Sequence, residues 1–161
     1  MSPRLPSNEY ERKLVQNISE FGWQCTSVEP TEGDPEPIRF SYTIGLHSTH
    51  GQPEFIILGL PREVAHGILG IVANRMASGK PIDVSCPSSD LLNNYDCIFV
   101  PVPRHRYAEY LGSAVWWEQG EQFPAVQIVW PSKAGFFPWH PNAHDEFKKL
   151  QPVLGEPPRD A

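Results

Sequence analysis

Basic residues are scarce in this 161-residue chain: 13 Lys and Arg stand against 19 Asp and Glu, a formal net charge of −6 at pH 7. A protein that grips nucleic acid by its phosphates needs the opposite balance to displace counterions, so no nucleic-acid partner is expected. Apolar runs are short as well. The longest, Phe55-Ile56-Ile57-Leu58-Gly59-Leu60, stops at Pro61, far below the ~20 residues of a membrane span. The opening residues Met1-Ser2-Pro3-Arg4-Leu5-Pro6 hold no apolar stretch of the kind a secretory signal carries. Cysteine is rare, and Cys25, Cys86 and Cys97 cannot all pair within the chain or form a Cys-x-x-Cys motif. Free thiols and a cytoplasmic location, with no membrane partner, are the expectation. Missing too are a Gly-x-x-x-x-Gly-Lys phosphate loop, a Gly-x-Gly-x-x-Gly after a strand and a Gly-x-Ser-x-Gly nucleophile elbow.

Proline is plentiful at 18 residues, which predicts many short elements joined by firm turns. A helix is predicted to start after Asn8, with Glu9 and Glu11 in its first turn and Tyr10, Leu14, Ile18 and Phe21 at helical spacing. Gly22 should end it in the left-handed conformation. Residues 23–28 are predicted as a short strand, and residues 29–37 as a solvated loop with four acids and three prolines. The clearest strand runs over 38–46: Ile38, Phe40, Tyr42, Ile44 and Leu46 alternate with Arg39, Ser41, Thr43 and Gly45, one row inward and one outward. A turn with His47, His50, Gly51 and Pro53 leads to the strand at 55–60, an antiparallel hairpin. Pro61 suits a first helical position, and Val64, Ile68, Ile71, Val72 and Met76 stripe the following helix. Residues 97–102 are predicted as a strand near a sheet edge because Pro101 cannot donate to a ladder. A third helix is expected to about Trp117, then a strand with Val126, Ile128 and Trp130, a turn at 131–135 and the aromatic segment 136–139. The fold class is therefore α+β, one domain over 1–161, with a largely antiparallel sheet, partly closed in one version, and about three helices. Residues 156–161 are expected to fray.

Several constellations could carry chemistry. His47-x-x-His50 and His140-x-x-x-His144, the latter beside Asp145 and Glu146, could hold zinc or iron if the loops converged. The spacing is weak evidence, since Pro141 interrupts the second pair, and no metal is assigned. Arg104-His105-Arg106 with Tyr107 is the one dense basic cluster. It could clamp a phosphate or carboxylate, and its place at a helix start conflicts with the helix dipole. Trp130, Phe136, Phe137 and Trp139, with Gln127 as a polar handle, describe either a ligand wall or a hairpin pinned by large rings. Trp116 and Trp117 add surface for a partner. The acidic loop with Glu29, Glu32, Asp34 and Glu36 could meet a basic protein.

Read together, these blocks resemble an uncharacterised, mainly bacterial family, domain-of-unknown-function family 4262. The matching stretches are Phe40-Ser41-Tyr42-Thr43-Ile44-Gly45-Leu46, Pro53-Glu54-Phe55-Ile56-Ile57-Leu58-Gly59-Leu60, Gln127-Ile128-Val129-Trp130-Pro131, Phe137-Pro138-Trp139 and Gln151-Pro152-Val153-Leu154-Gly155. The likeness spans residues 15–155. It implies a family and no reaction. Members usually carry Asp after the Trp-Pro and Arg before the Phe-Pro-Trp, where this chain has Ser132 and Phe136.

The functional expectation is a binding module for a small anionic ligand or a basic protein, of the immunity or pathway-accessory type, without a predicted cofactor. The alternative is a small-molecule enzyme, with Arg39, Ser41 and Thr43 donating to a flavin phosphate on a split barrel, or with zinc. A site is expected where the 47–54 turn (His47, His50, Glu54), the 104–107 helix start and the 130–140 segment (Trp130, Trp139, His140) meet.

Overall fold

A computed structural model describes residues 5–35 and 37–158. Helix α1 (Glu9–Phe21) begins where Asn8 accepts the Glu11 N–H at 2.8 Å and ends at Gly22, whose φ of 86° is left-handed. Both ends fall where the sequence places them. Only Leu14 and Ile18 are buried; Tyr10 and Phe21, expected on the same stripe, are largely exposed. Strand β1 (Gln24–Val28) pairs antiparallel with β2 (Phe40–Ile44), and β2 with β3 (Glu54–Leu58). Between β2 and β3 the expected turn is a five-residue helix, α2 (Leu46–His50). Helix α3 (Arg62–Ala77) follows Pro61 and buries Ala65, Ile68, Leu69, Val72, Ala73 and Met76. That stripe centres on Ala65, Leu69, Val72 and Met76 with Ile68 at its edge, so Val64 and Ile71, on the far side of Ile68, are left exposed.

Residues 81–94, irregular in the sequence, contain the edge strand β4 (Ser88–Leu92). Its Ser-Ser-Asp start hides it from any apolar pattern. Strand β5 (Tyr95–Pro101) lies between β4 and β6 (Ala125–Val129), one place in from the edge. Pro101 is tolerated because β4 has already ended: its last registered partners are Ser88 with Cys97 and Leu92 with Tyr95. The single helix expected to Trp117 is three pieces. A 3-10 turn at Arg104–Arg106 precedes α4 (Tyr107–Tyr110) and α5 (Gly112–Glu118), broken at Leu111 where φ is −125° and ψ 34°. Among the described residues no strand follows β6; residues 130–144 form a loop that enters α6 (Asp145–Leu150).

The strands make one open sheet in the order β1-β2-β3-β6-β5-β4. It is mostly antiparallel, with β3 and β6 parallel. It does not close into a barrel, and among the described residues six helices rather than three surround it. Phe55 and Ile57 of β3 pack under α3, while Ile56 and Leu58 pack with Leu14, Tyr107, Leu111 and Ala114 on the opposite face. A strand covered on both faces should be apolar without alternation, and β3 is. The same double cover buries Ser41 and Thr43, the row expected to face outward. Ser41 pairs with the Ser27 hydroxyl at 2.7 Å, and the partly exposed Arg39 with Glu29 at 3.5 Å.

The segment after α6 lies across the sheet as a strap. Gln127 donates to the Pro152 carbonyl (2.9 Å) and accepts the Leu154 N–H (2.8 Å); Gln151 accepts the Trp130 N–H (3.0 Å) and donates to its carbonyl (2.8 Å). Gly155 passes so near β5 that a Cβ there would strike the Pro101 carbonyl oxygen. Gly155→Ala is expected to cost about 1–3 kcal/mol, seen as a lower urea midpoint at unchanged m value. A change within about 0.5 kcal/mol would mean the strap yields freely.

Candidate functional site

Where β2 and β3 diverge, the sequence turns on Gly45, whose φ of 108° suits glycine and whose missing Cβ would lie 2.9 Å from the Gly22 carbonyl. The first amides of α2 then need partners, as those of any helix do. Glu54 supplies them from below. Its carboxylate accepts the N–H groups of Gly45 (3.0 Å), Leu46 (3.2 Å) and His47 (3.1 Å) and the Thr43 hydroxyl (2.7 Å). Glu54 is 0% exposed. Burial outweighs these four donors and pushes its carboxyl up to about 7. Glu54 therefore holds the backbone of α2 from inside, and is closed to a ligand.

Above it the His47 ring places Nδ1 3.1 Å from Glu118 Oε1 at the end of α5. The His47 side chain is 31% exposed and that of Glu118 only 9%. A second tie, from Trp117 Nε1 to Ser48 Oγ at 3.0 Å, joins the same two helices. Phe123 packs beside His47 with ring centroids 6.4 Å apart, and His50 sits half-buried at the last position of α2.

Along the same end of the sheet lies the 3-10 turn after β5. Tyr107 is buried, donates its hydroxyl to the Phe123 carbonyl (2.7 Å) and packs its ring 4.9 Å from the Phe123 ring. Burial pushes its phenol up. Arg104 lies 6.0 Å over the Tyr107 ring, with Nη1 3.5 Å from Gln122 Oε1. Arg106 pairs with Glu109 at 3.3 Å and lies 6.0 Å over Tyr110; its Nε is buried without a partner. Beside this turn Pro101, Val102, Pro103, His105, Leu154 and Gly155, with Glu156, line a hollow of 470 Å³. The 47–54 turn and the 104–107 turn thus share one end of the sheet, bridged by Phe123 and about two strand spacings, ~10 Å, apart.

The third expected segment stands elsewhere. β6 runs from Ala125 beside Glu54 to Val129, so Trp130 emerges at the opposite end. There Trp130 Nε1 donates to the Leu58 carbonyl (2.8 Å) and its ring meets Phe147 at 5.1 Å. Phe136 stacks on His140 (4.4 Å) and Phe137 on Trp139 (5.3 Å). The aromatic cluster pins this loop and α6 to the core. A parallel β3–β6 pair, which local sequence does not announce, carries these rings away from His47. The two histidine pairs do not meet, and among the described residues no three His, Cys, Asp or Glu groups cluster in a way that could hold a metal ion. Gln127, expected to face a ligand, is fully buried with its amide taken by the strap. The Ser132 hydroxyl accepts the Phe136 N–H at 3.2 Å.

Of the proposed partner surface, Glu32 and Asp34 are exposed, Glu29 is paired with Arg39, and Glu36 lies outside the described residues. Trp116 and Trp117 are half-buried against the core on the α1 face. Cys97 is buried, which pushes its thiol up to about 12; Cys25 is partly buried and Cys86 exposed. No helix among the described residues is long and apolar enough to cross a membrane. Sequence reasoning missed Glu118. Its signal is a carboxylate in the last turn of a helix, where the dipole disfavours it.

An open mixed sheet with helices on both faces, and a polar seam at one end, defines an α+β protein. The chain belongs to the family described as "Domain of unknown function (DUF4262)", whose model matches residues 17–144 and so covers all six strands. No curated protein and no solved structure matches it.

Proposed function

We propose that the protein is a binding module for a small ligand with a carboxylate or phosphate group, seated at the 104–106 turn. The observation that carries this reading is the 470 Å³ hollow beside the basic cluster, a volume in the range of small-molecule sites. Its walls are apolar at Pro101, Val102, Pro103 and Leu154, and His105 adds a polar group. Arg104 is exposed, has no ion pair among the described residues and has Nη1 3.5 Å from Gln122 Oε1, so its positive charge is available to an oxyanion. Its guanidinium carbon lies 6.0 Å over the Tyr107 ring, which limits the freedom lost on binding.

Titration with inorganic phosphate and with acetate, followed by amide chemical shifts, tests the reading. Saturable shifts are expected around residues 101–106 and 154–156, and Arg104→Gln should weaken binding about tenfold or more, as loss of a charge-assisted bond implies. Shifts that never saturate, or that survive in Arg104→Gln, would sink it.

A further inference from the structure

The histidines differ in what holds Nδ1. At His140 that atom accepts the Asn142 N–H at 3.0 Å, so in the neutral ring the proton sits on Nε2. His47 is the reverse. Its Nδ1 faces the Glu118 carboxylate, which only accepts, so Nδ1 carries the proton and Nε2 keeps its lone pair. The ring reaches solvent while its partner is nearly enclosed. Everything behind it is braced: Glu54 grips the His47 N–H, and Trp117 ties down Ser48.

Local preferences are broken around this one imidazole. Glu118 ends α5 against the helix dipole. Gln119 follows at φ 61°, in the left-handed region that non-glycine residues seldom enter, and the chain turns away at Gly120. Such conflicts gather where a residue is held for use rather than for stability. A carboxylate on Nδ1 fixes the tautomer and orientation of the ring, and histidine oriented in this way is a competent nucleophile.

We propose that His47 Nε2 accepts an acyl group from an activated ester or thioester, with Glu118 as the positioning residue. The Nε2 lone pair forms a bond to the carbonyl carbon, and the carbon–oxygen or carbon–sulfur bond breaks with its electron pair leaving on the alkoxide or thiolate. The Nδ1 proton passes to Glu118, giving a neutral acylimidazole. Water then attacks the acyl carbon, the Nε2–carbon bond breaks, Glu118 returns its proton to Nδ1, and the two water protons leave, one to the alkoxide or thiolate released in the first step and one from the acid product to solvent. The apolar Phe123 beside the ring, and the Glu118 carboxylate, favour a neutral acyl donor over an anionic one.

The test uses the full chain without a histidine tag and p-nitrophenyl acetate. A burst of p-nitrophenolate is expected, with one acetyl group mapped by mass to the peptide holding residues 46–50. His47→Asn, whose side-chain N–H can still reach Glu118, should abolish both, whereas His140→Asn should react as the parent does. Glu118→Gln should slow acylation about 10–100-fold and mix the two tautomers seen in the His47 imidazole nitrogen shifts, with its urea midpoint little changed. Acetyl groups found only on lysines, or a burst that survives in His47→Asn, would overturn the assignment; neither result bears on phosphate binding at Arg104.

Discussion

Glu54→Ala is expected to destabilise the protein by about 3–5 kcal/mol at pH 5, the range for stripping one partner from a buried polar cluster. Three amides and a hydroxyl lose their acceptor at once, in a place water does not reach. The pH dependence has a definite sign. Burial raises the folded carboxyl to about 7 from 4.5, so the folded state holds its proton more tightly than the unfolded chain. The contribution of Glu54 is complete below about pH 4.5 and fades as pH rises through about 7. The stability gap between the parent and Glu54→Ala should therefore narrow by roughly 3 kcal/mol between pH 5 and pH 8. Urea denaturation at both values measures it. A gap that widens with pH would mean the four donors, and not burial, dominate. Because Glu54 also fixes the His47 backbone, the variant should lose the His47–Glu118 contact, seen in the imidazole nitrogen shifts.

The second large effect is expected at the strap. Gln127→Met keeps side-chain length but removes a donor and an acceptor, leaving the Pro152 carbonyl and the Leu154 N–H without partners. Each such group costs about 1–3 kcal/mol, so a loss of about 2–5 kcal/mol is expected in thermal or urea unfolding. Exchange of the Leu154 amide should accelerate while amides of β3 keep their protection relative to the new global stability. If the loss is under about 1 kcal/mol, the strap is held by Leu154 packing alone. Since Leu154 and Gly155 line the hollow, the same variant should weaken phosphate binding.

The elements legible in the chain are those whose signals are local. Asn8, the Leu14–Ile18 spacing and Gly22 bracket α1 to the residue, and the unbroken apolar run after Glu54 announces a strand covered on both faces. The family is equally legible, because its motifs are short and contiguous. The candidate site was half legible. His47 and Arg104 stand out by residue type, and both lie at the seam end of the sheet. Phe123 and Gln151 carry no mark of their role and Glu118 only a carboxylate set against the helix dipole, since each matters through a partner many residues away.

Two readings failed for a common reason. Ser41 and Thr43 alternate with apolar residues as a solvent-facing row would, yet α3 crosses that face and turns them inward. Trp130, Trp139 and His140 have the composition of a pocket wall, yet the direction of β6 carries them to the far end. Local sequence determined where the chain turns, which segments are helix or buried strand, and which family it joins, because caps, glycines and apolar periods act over a few residues. Only the tertiary structure decided which charges meet. Strand order and the parallel β3–β6 pairing arise from packing both sheet faces at once, a balance among distant segments that no short stretch encodes.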